Sequence, residues 1–149
     1  MKKLTKIELD NLLEQHTAWL ENKGGQRADL SYTDLSHMDL KGSVLQCANL
    51  TRTNFNDALL NAVDMRDADI TYASFRHSNL TDANFQDADL RNTDFRAARL
   101  RNTNFHRADL YRAEFDDTGV NKAMCHLPKL TNTLIELRDV NRPHCSDPL

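Results

Sequence analysis

The 149-residue sequence lacks any long apolar run: its longest uninterrupted apolar stretches are two to three residues. A membrane-spanning helix needs about 20, so none is expected. The opening MKKLTKIELD carries Glu8 and Asp10 where a secretory signal would be apolar, and a cytoplasmic setting is expected. Cysteine is scarce and odd in number, at Cys47, Cys125 and Cys145. Without an export signal, that argues against a disulfide framework and for reduced thiols. A strong basic excess is missing too. The net charge of −3 argues against a general nucleic-acid binder, so no direct nucleic-acid binding is expected. At 40% hydrophobic and 28% charged residues, the composition fits one soluble domain with a core of its own.

What is present is a period of five. Every fifth residue from Leu30 is large and apolar: Leu30, Leu35, Leu40, Leu45, Leu50, Phe55, Leu60, Met65, Ile70, Phe75, Leu80, Phe85, Leu90, Phe95, Leu100, Phe105, Leu110, Phe115 and Val120. Two residues before each stands Ala, Ser or Thr, with Met38 and Val63 as the exceptions. A helix repeats near 3.6 and a strand alternates at 2, so the chain must turn a corner in every repeat. Units such as ANLTR, ADITY, ANFQD, ADLRN and ADLYR resemble the A(D/N)LXX pattern of the pentapeptide-repeat family, from about Ala28 to Lys122.

That resemblance implies an all-β solenoid, a right-handed quadrilateral parallel β-helix with four pentapeptides per coil and about five coils. Residues twenty apart would then stack at roughly 4.8 Å. Sorted by twenties, Leu35, Phe55, Phe75, Phe95 and Phe115 form one column, and Leu45, Met65, Phe85 and Phe105 another. The remaining two columns are aliphatic, as a four-sided core requires.

Three regions follow: an N-terminal helical cap over 1–25, the β-helix over 26–122, and a C-terminal cap or tail over 123–149. Thr5 and Glu8 make a capping box, Leu4 and Leu9 a hydrophobic staple, and the helix starts near Lys6. Leu9, Leu12, Leu13, His16, Trp19 and Leu20 lie on one face, and Gly24-Gly25 is expected to end the helix. His16 reads as a packing residue rather than a ligand. In the tail, Leu130, Leu134, Ile135 and Leu137 close the last coil or pair two copies, so the protein is a monomer or a C-terminal homodimer.

No catalytic residue, cofactor or metal is expected. A regular prism offers few concave sites where nucleophile and base converge. Cys125-His126 and His144-Cys145 have zinc-binding atom types, but adjacent ligands lack the usual two-to-four-residue spacing.

Function has to be sought outside the core. Over residues 26–90 ten aspartates face five basic residues, a balance of −5. Over 91–115 three acids face six arginines, a balance of +3. Asp29, Asp69, Asp89 and Asp109 stack with Asn49 on one face, with Asp67 and Asp87 at a neighbouring edge. Such a ladder either satisfies turn backbone or imitates the phosphate row of DNA in a basic groove. The second option is what the resemblance to gyrase-protecting, quinolone-resistance members implies. The partner would be a protein, a topoisomerase such as gyrase or a nuclease, in a bacterial or phage setting. The alternative is an adaptor that uses the belt of Arg91, Arg96, Arg99, Arg101, Arg107 and Arg112, with Tyr72 and Tyr111 on one face with Arg91.

Overall fold

A computed structural model describes residues 1–116. The expected C-terminal cap and dimer segment with Leu130, Leu134, Ile135 and Leu137 lies outside the described residues, as do Val120 and both Cys-His pairs.

The backbone repeats at twenty residues. Parallel bridges join Asp29 to Asn49, Asn49 to Asp69, Asp69 to Asp89 and Asp89 to Asp109, with the same step on the other three sides. In each step the central apolar N–H donates to the next coil, as from Leu30 to the Asn49 carbonyl at 2.8 Å. The corner closes when the small residue donates back, as from Thr33 to the Leu30 carbonyl at 3.2 Å.

This corner forces the second residue after each central one into the left-handed region. Tyr32, Arg52, Asp67, Tyr72 and Asp87 have φ of 55°, 57°, 56°, 60° and 59°. For a residue with a Cβ that costs about 1 kcal/mol or more. The same residue is tied to the coil above, Tyr32 N–H to the Thr51 carbonyl at 3.0 Å and Arg52 N–H to Thr71 at 2.8 Å, which offsets the cost.

The apolar columns fill the interior. Leu30 through Leu110 at the central positions are buried, as are Ala28, Ala48, Ala68, Ala88 and Ala108 at the corners. Val63 is buried at a corner despite its size, and Met38 packs against the core from a half-buried position. Corner hydroxyls are satisfied internally: Thr53 Oγ1 donates to Leu30 O at 2.8 Å and Thr103 Oγ1 to Leu80 O at 2.9 Å.

The N-terminus meets the open edge twice. Strand β1 (Lys2–Lys3) pairs in parallel with β2 (Thr33–Asp34), Lys2 opposite Thr33 and Lys3 opposite Asp34. It occupies the edge with lysines, a residue type that discourages further strand addition. Helix α1 (Lys6–Leu20) begins with the expected capping box: Thr5 N–H donates to Glu8 Oε2 at 2.7 Å and Glu8 N–H to Thr5 Oγ1 at 3.3 Å. Those bonds from Thr5 hold the Glu8 carboxyl below its usual pKa. Leu9 is buried in the same core cluster as the solenoid, with Leu4, Leu12 and Leu13 packed against it.

The helix does not end at the glycines. Asn22, at φ 55°, follows the C-cap residue Glu21, donating to Trp19 O at 3.1 Å while Lys23 N–H reaches Ala18 O at 2.9 Å. This double bond pattern is a Schellman stop with asparagine in the left-handed position. Gly25 serves the next step. A Cβ there would overlap the Gln15 carbonyl oxygen, to which Gln26 N–H donates at 3.2 Å.

Candidate protein-binding surface

The outward aspartates are first of all turn residues. In each, one carboxylate oxygen accepts the N–H two residues on: Ser31 to Asp29 at 3.0 Å, Thr71 to Asp69 at 3.2 Å, Arg91 to Asp89 at 3.2 Å and Tyr111 to Asp109 at 3.0 Å. Asn49 does the same for Thr51 at 3.2 Å, and its amide reaches Asp29 at 3.1 Å. The local rule behind the consensus Asp or Asn is therefore hydrogen bonding to the turn.

Charge compensation divides this ladder along its length. Arg91 holds Asp89 through Nε at 2.8 Å and Nη2 at 2.6 Å, and its Nε lies 3.7 Å from Asp109. Burial raises and the Arg91 bonds lower the Asp89 carboxyl, which ends below its ordinary value. Asp29 and Asp69 have no ion-pair partner among the described residues. On the edge, Asp67 accepts from Gln46 Nε2 at 3.3 Å and forms no ion pair among the described residues, though Arg66 and Arg107 lie near enough to act on it. Asp87 is gripped by Arg107, with Nη2 at 2.6 Å, and this bond together with Gln86 lowers its pKa to about 2.

The belt arginines point to four different sides. Arg91 and Arg112 stand on the Asp29–Asp109 side, Arg96 on the next, Arg99 and Arg101 on the third and Arg107 on the fourth. Arg96 binds Asp94 through Nε at 2.9 Å and Nη2 at 2.6 Å, with Glu114 at 3.3 Å. Arg99 and Arg101 have no ion-pair partner among the described residues and stand on the side where Leu59 is exposed, Arg99 in the same column as Leu59. Arg112 lies over Tyr111 at 5.1 Å.

Tyr72 keeps different company from that expected. Arg91 is drawn onto aspartates, and the cation on Tyr72 is Arg52, its guanidinium carbon 4.7 Å from the ring centroid. The same group lies 5.8 Å from the Tyr32 ring. Tyr32, Arg52 and Tyr72 thus make an aromatic–cation–aromatic stack on the surface, the tyrosines 58% and 53% exposed. Tyr32 and Arg52 were readable as members of this column, because thirty-two, fifty-two and seventy-two share the twenty-residue register.

One family model, the pentapeptide repeat region, matches residues 26–95, and a second, pentapeptide repeats in eight copies, matches 88–118. The chain belongs to the pentapeptide-repeat family. Among curated proteins none matches it. Among solved structures it is similar to the pentapeptide repeat protein Rfr23 from the cyanobacterium Cyanothece 51142, with 30% identity over 60% of this chain and 58% of that chain, at a TM-score of 0.52. The chain therefore spans less than two thirds of that relative. QnrB1, a plasmid-mediated fluoroquinolone resistance protein, aligns with 18% identity over 77% of each chain, at a TM-score of 0.41. HetL, a pentapeptide repeat protein involved in heterocyst differentiation regulation from Nostoc sp. strain PCC 7120, shows 26% identity over 57% of this chain and 52% of that chain, at 0.24.

Pentapeptide-repeat proteins are right-handed β-helices, and binding or structural roles rather than catalysis are the rule in the family. In such a solenoid the chemistry of a site is set by which outward side chains share a register. Among the described residues no cluster of three His, Cys, Asp or Glu is placed to hold a metal ion. No described helix is long and apolar enough to cross a membrane.

Proposed function

We infer that this pentapeptide-repeat protein is a non-catalytic protein-binding module that presents a partner with a rigid outer face, with α1 closing the first coil. The observation that carries this reading is the Tyr32–Arg52–Tyr72 stack: large aromatic surface is left in water on a scaffold whose central apolar residues, Leu30 through Leu110, are all interior. Tyrosine and arginine contribute most to protein interfaces when buried by a partner. The proposal sets the protein in the cytoplasm, where an odd number of cysteines stays reduced. Immobilised full-length chain should capture a discrete partner from its native host, and substitutions confined to outward residues should abolish capture without altering thermal unfolding. Loss of no partner on any such substitution, or absence of a captured partner, contradicts it.

A second reading has the solenoid act as a DNA-like competitor at a bacterial topoisomerase or nuclease. On the Asp29–Asp109 side, four aspartates against Arg52, Arg91 and Arg112 leave a balance of −1. The observation in its favour is on the adjacent side, where among the described residues Asp34, Asp57, Asp94, Glu114 and Asp116 stand against Arg76, Arg96 and Lys3, which pairs with Asp34 at 3.4 Å, a balance of −2. Added full-length chain should then inhibit or protect such an enzyme, and Asp34→Asn with Asp57→Asn should weaken the effect. Unchanged supercoiling and cleavage at saturating chain would remove this reading and leave the first intact.

A further inference from the structure

Three successive pentads on one side carry an alternation. They read Ala-Asp-Leu-Ser-Tyr over 28–32, Ala-Asn-Leu-Thr-Arg over 48–52 and Ala-Asp-Ile-Thr-Tyr over 68–72. The bridges Asp29 to Asn49 and Asn49 to Asp69 set them on adjacent coils. The middle pentad exchanges acid for amide and tyrosine for arginine together. Charge therefore runs negative, positive, negative along the axis, and the positive group is flanked by two exposed rings.

None of these charges is in an ion pair among the described residues. Arg52 has no carboxylate within ion-pair reach among the described residues, and its guanidinium faces are occupied by Tyr32 and Tyr72 at 5.8 Å and 4.7 Å. A guanidinium covered on its faces still presents its planar edge of N–H donors, the geometry that takes a carboxylate in two parallel bonds. Asp29 and Asp69 each engage one carboxylate oxygen in their turns and form no ion pair among the described residues, with Arg27 acting on Asp29 and Arg91 on Asp69 only at longer range. Two coils further on the situation reverses, because Arg91 closes on Asp89.

We propose that this three-coil patch docks a helix of a partner protein laid along the solenoid axis, presenting one carboxylate between two basic side chains. The proposal rests on the protein-binding reading and names the kind of partner. The carboxylate seats on the edge of Arg52, and the two cations meet Asp29 and Asp69. Coils rise by about 4.8 Å, and helical residues three or four apart advance by about 4.5 to 6 Å. A strand would place same-side residues at about 6.6 Å, a poorer match. A polyanion such as nucleic acid fits worse still, because its phosphates would meet Asp29 and Asp69.

The test uses full-length chain and two fluorescent alanine-rich helical peptides, one with Lys, Glu and Lys at four-residue spacing and one with the charges exchanged. A short single-stranded oligothymidylate is the third probe. By fluorescence anisotropy the Lys-Glu-Lys peptide should bind, and both the exchanged peptide and the Arg52→Gln variant should reduce affinity by about tenfold or more. Tyr32→Ala with Tyr72→Ala should do the same while circular dichroism shows the fold retained. The proposal is overturned if the Lys-Glu-Lys peptide does not bind, if Arg52→Gln binds it equally, or if the exchanged peptide or the oligonucleotide binds as well. Host-partner capture separates the two levels. A partner still captured by Arg52→Gln leaves the binding module standing and removes this patch as its site, whereas no captured partner removes the module reading itself.

Discussion

The rings of Phe75 and Phe95, twenty residues apart in sequence, lie parallel with centroids 5.0 Å apart and planes 3° apart. Phe55 stacks on Phe75 from the other side at 4.9 Å, and Phe85 meets Phe75 edge-on at 5.7 Å. Two aromatic columns thus stand in one interior, parallel within each column and perpendicular between them. Stacked and edge-to-face contacts each add about 0.5–1.5 kcal/mol beyond area burial, so the ladder ties coil to coil as well as filling space.

Phe75→Ala should therefore lower the unfolding free energy by about 3–5 kcal/mol. Phe75→Leu, which keeps most of the volume and loses the ring contacts, should cost about 1–2 kcal/mol. Urea denaturation followed by circular dichroism measures both, and equal costs would show that stacking contributes nothing beyond volume.

Two glycines should respond differently to alanine. Gly25 has φ 78° and no room for a Cβ beside the Gln15 carbonyl, whereas Gly42 has φ 64° and open space around it. Ala62 and Ala97 already occupy the position of Gly42 in other pentads, with φ of 55° and 60°. Gly42→Ala should cost about 1–2 kcal/mol, the backbone contribution alone. Gly25→Ala should cost several times more, because backbone must shift; comparable melting temperatures would contradict this.

His16 makes stability depend on pH. Its Nδ1 accepts the Ala28 N–H at 3.0 Å and its Nε2 donates to the Gln46 carbonyl at 2.9 Å, so the ring is neutral in the fold. Burial lowers its pKa below 6.5, with Arg27 acting in the same direction and the Gln46 bond opposing. Above 6.5 both states are neutral and the His16 contribution is complete; as pH falls, the unfolded chain takes up a proton first and stability drops. His16→Gln should be less stable at neutral pH and lack this part of the decline. Parallel stability profiles for the two proteins below 6.5 would refute the assignment.

Arg107 controls Asp87. Arg107→Gln should return the Asp87 carboxyl from about 2 towards its ordinary 3.8, read from side-chain NMR titration. The pairing contributes above 3.8 and is lost as pH falls through about 2. An unmoved titration would mean that Gln86 alone sets the value.

Much of this architecture is legible in the sequence because a five-residue period gives each side chain an address. The five-residue period and the Thr5–Glu8 box follow from spacing, and the four columns with their Phe ladders follow once the family resemblance supplies four pentapeptides per coil. The pairing of Lys2–Lys3 with Thr33–Asp34 does not, since a two-residue charged strand carries no pattern and its partner is an open edge thirty-one residues away. The helix stop is also hidden: asparagine and glycine both tolerate the left-handed region, and only packing against Gln15 shows that Gly25 is needed elsewhere. The candidate surface is harder for another reason. Spacing lines up Asp29, Asp69, Asp89 and Asp109 equally, while Arg91 lies within ion-pair distance of Asp89 and Asp109 and not of the other two. Side-chain reach across coils, not register, makes that distinction.

The most direct test of the binding-module claim is site-resolved photo-crosslinking in the native host. A photoreactive residue replaces Tyr72 on the stacked face in one version of the full chain and Asn79 on a different side in another. A single discrete adduct from position 72 and none from position 79 is the expected result. Equal adducts from both positions, or none from either, would contradict a protein that works through one outer face.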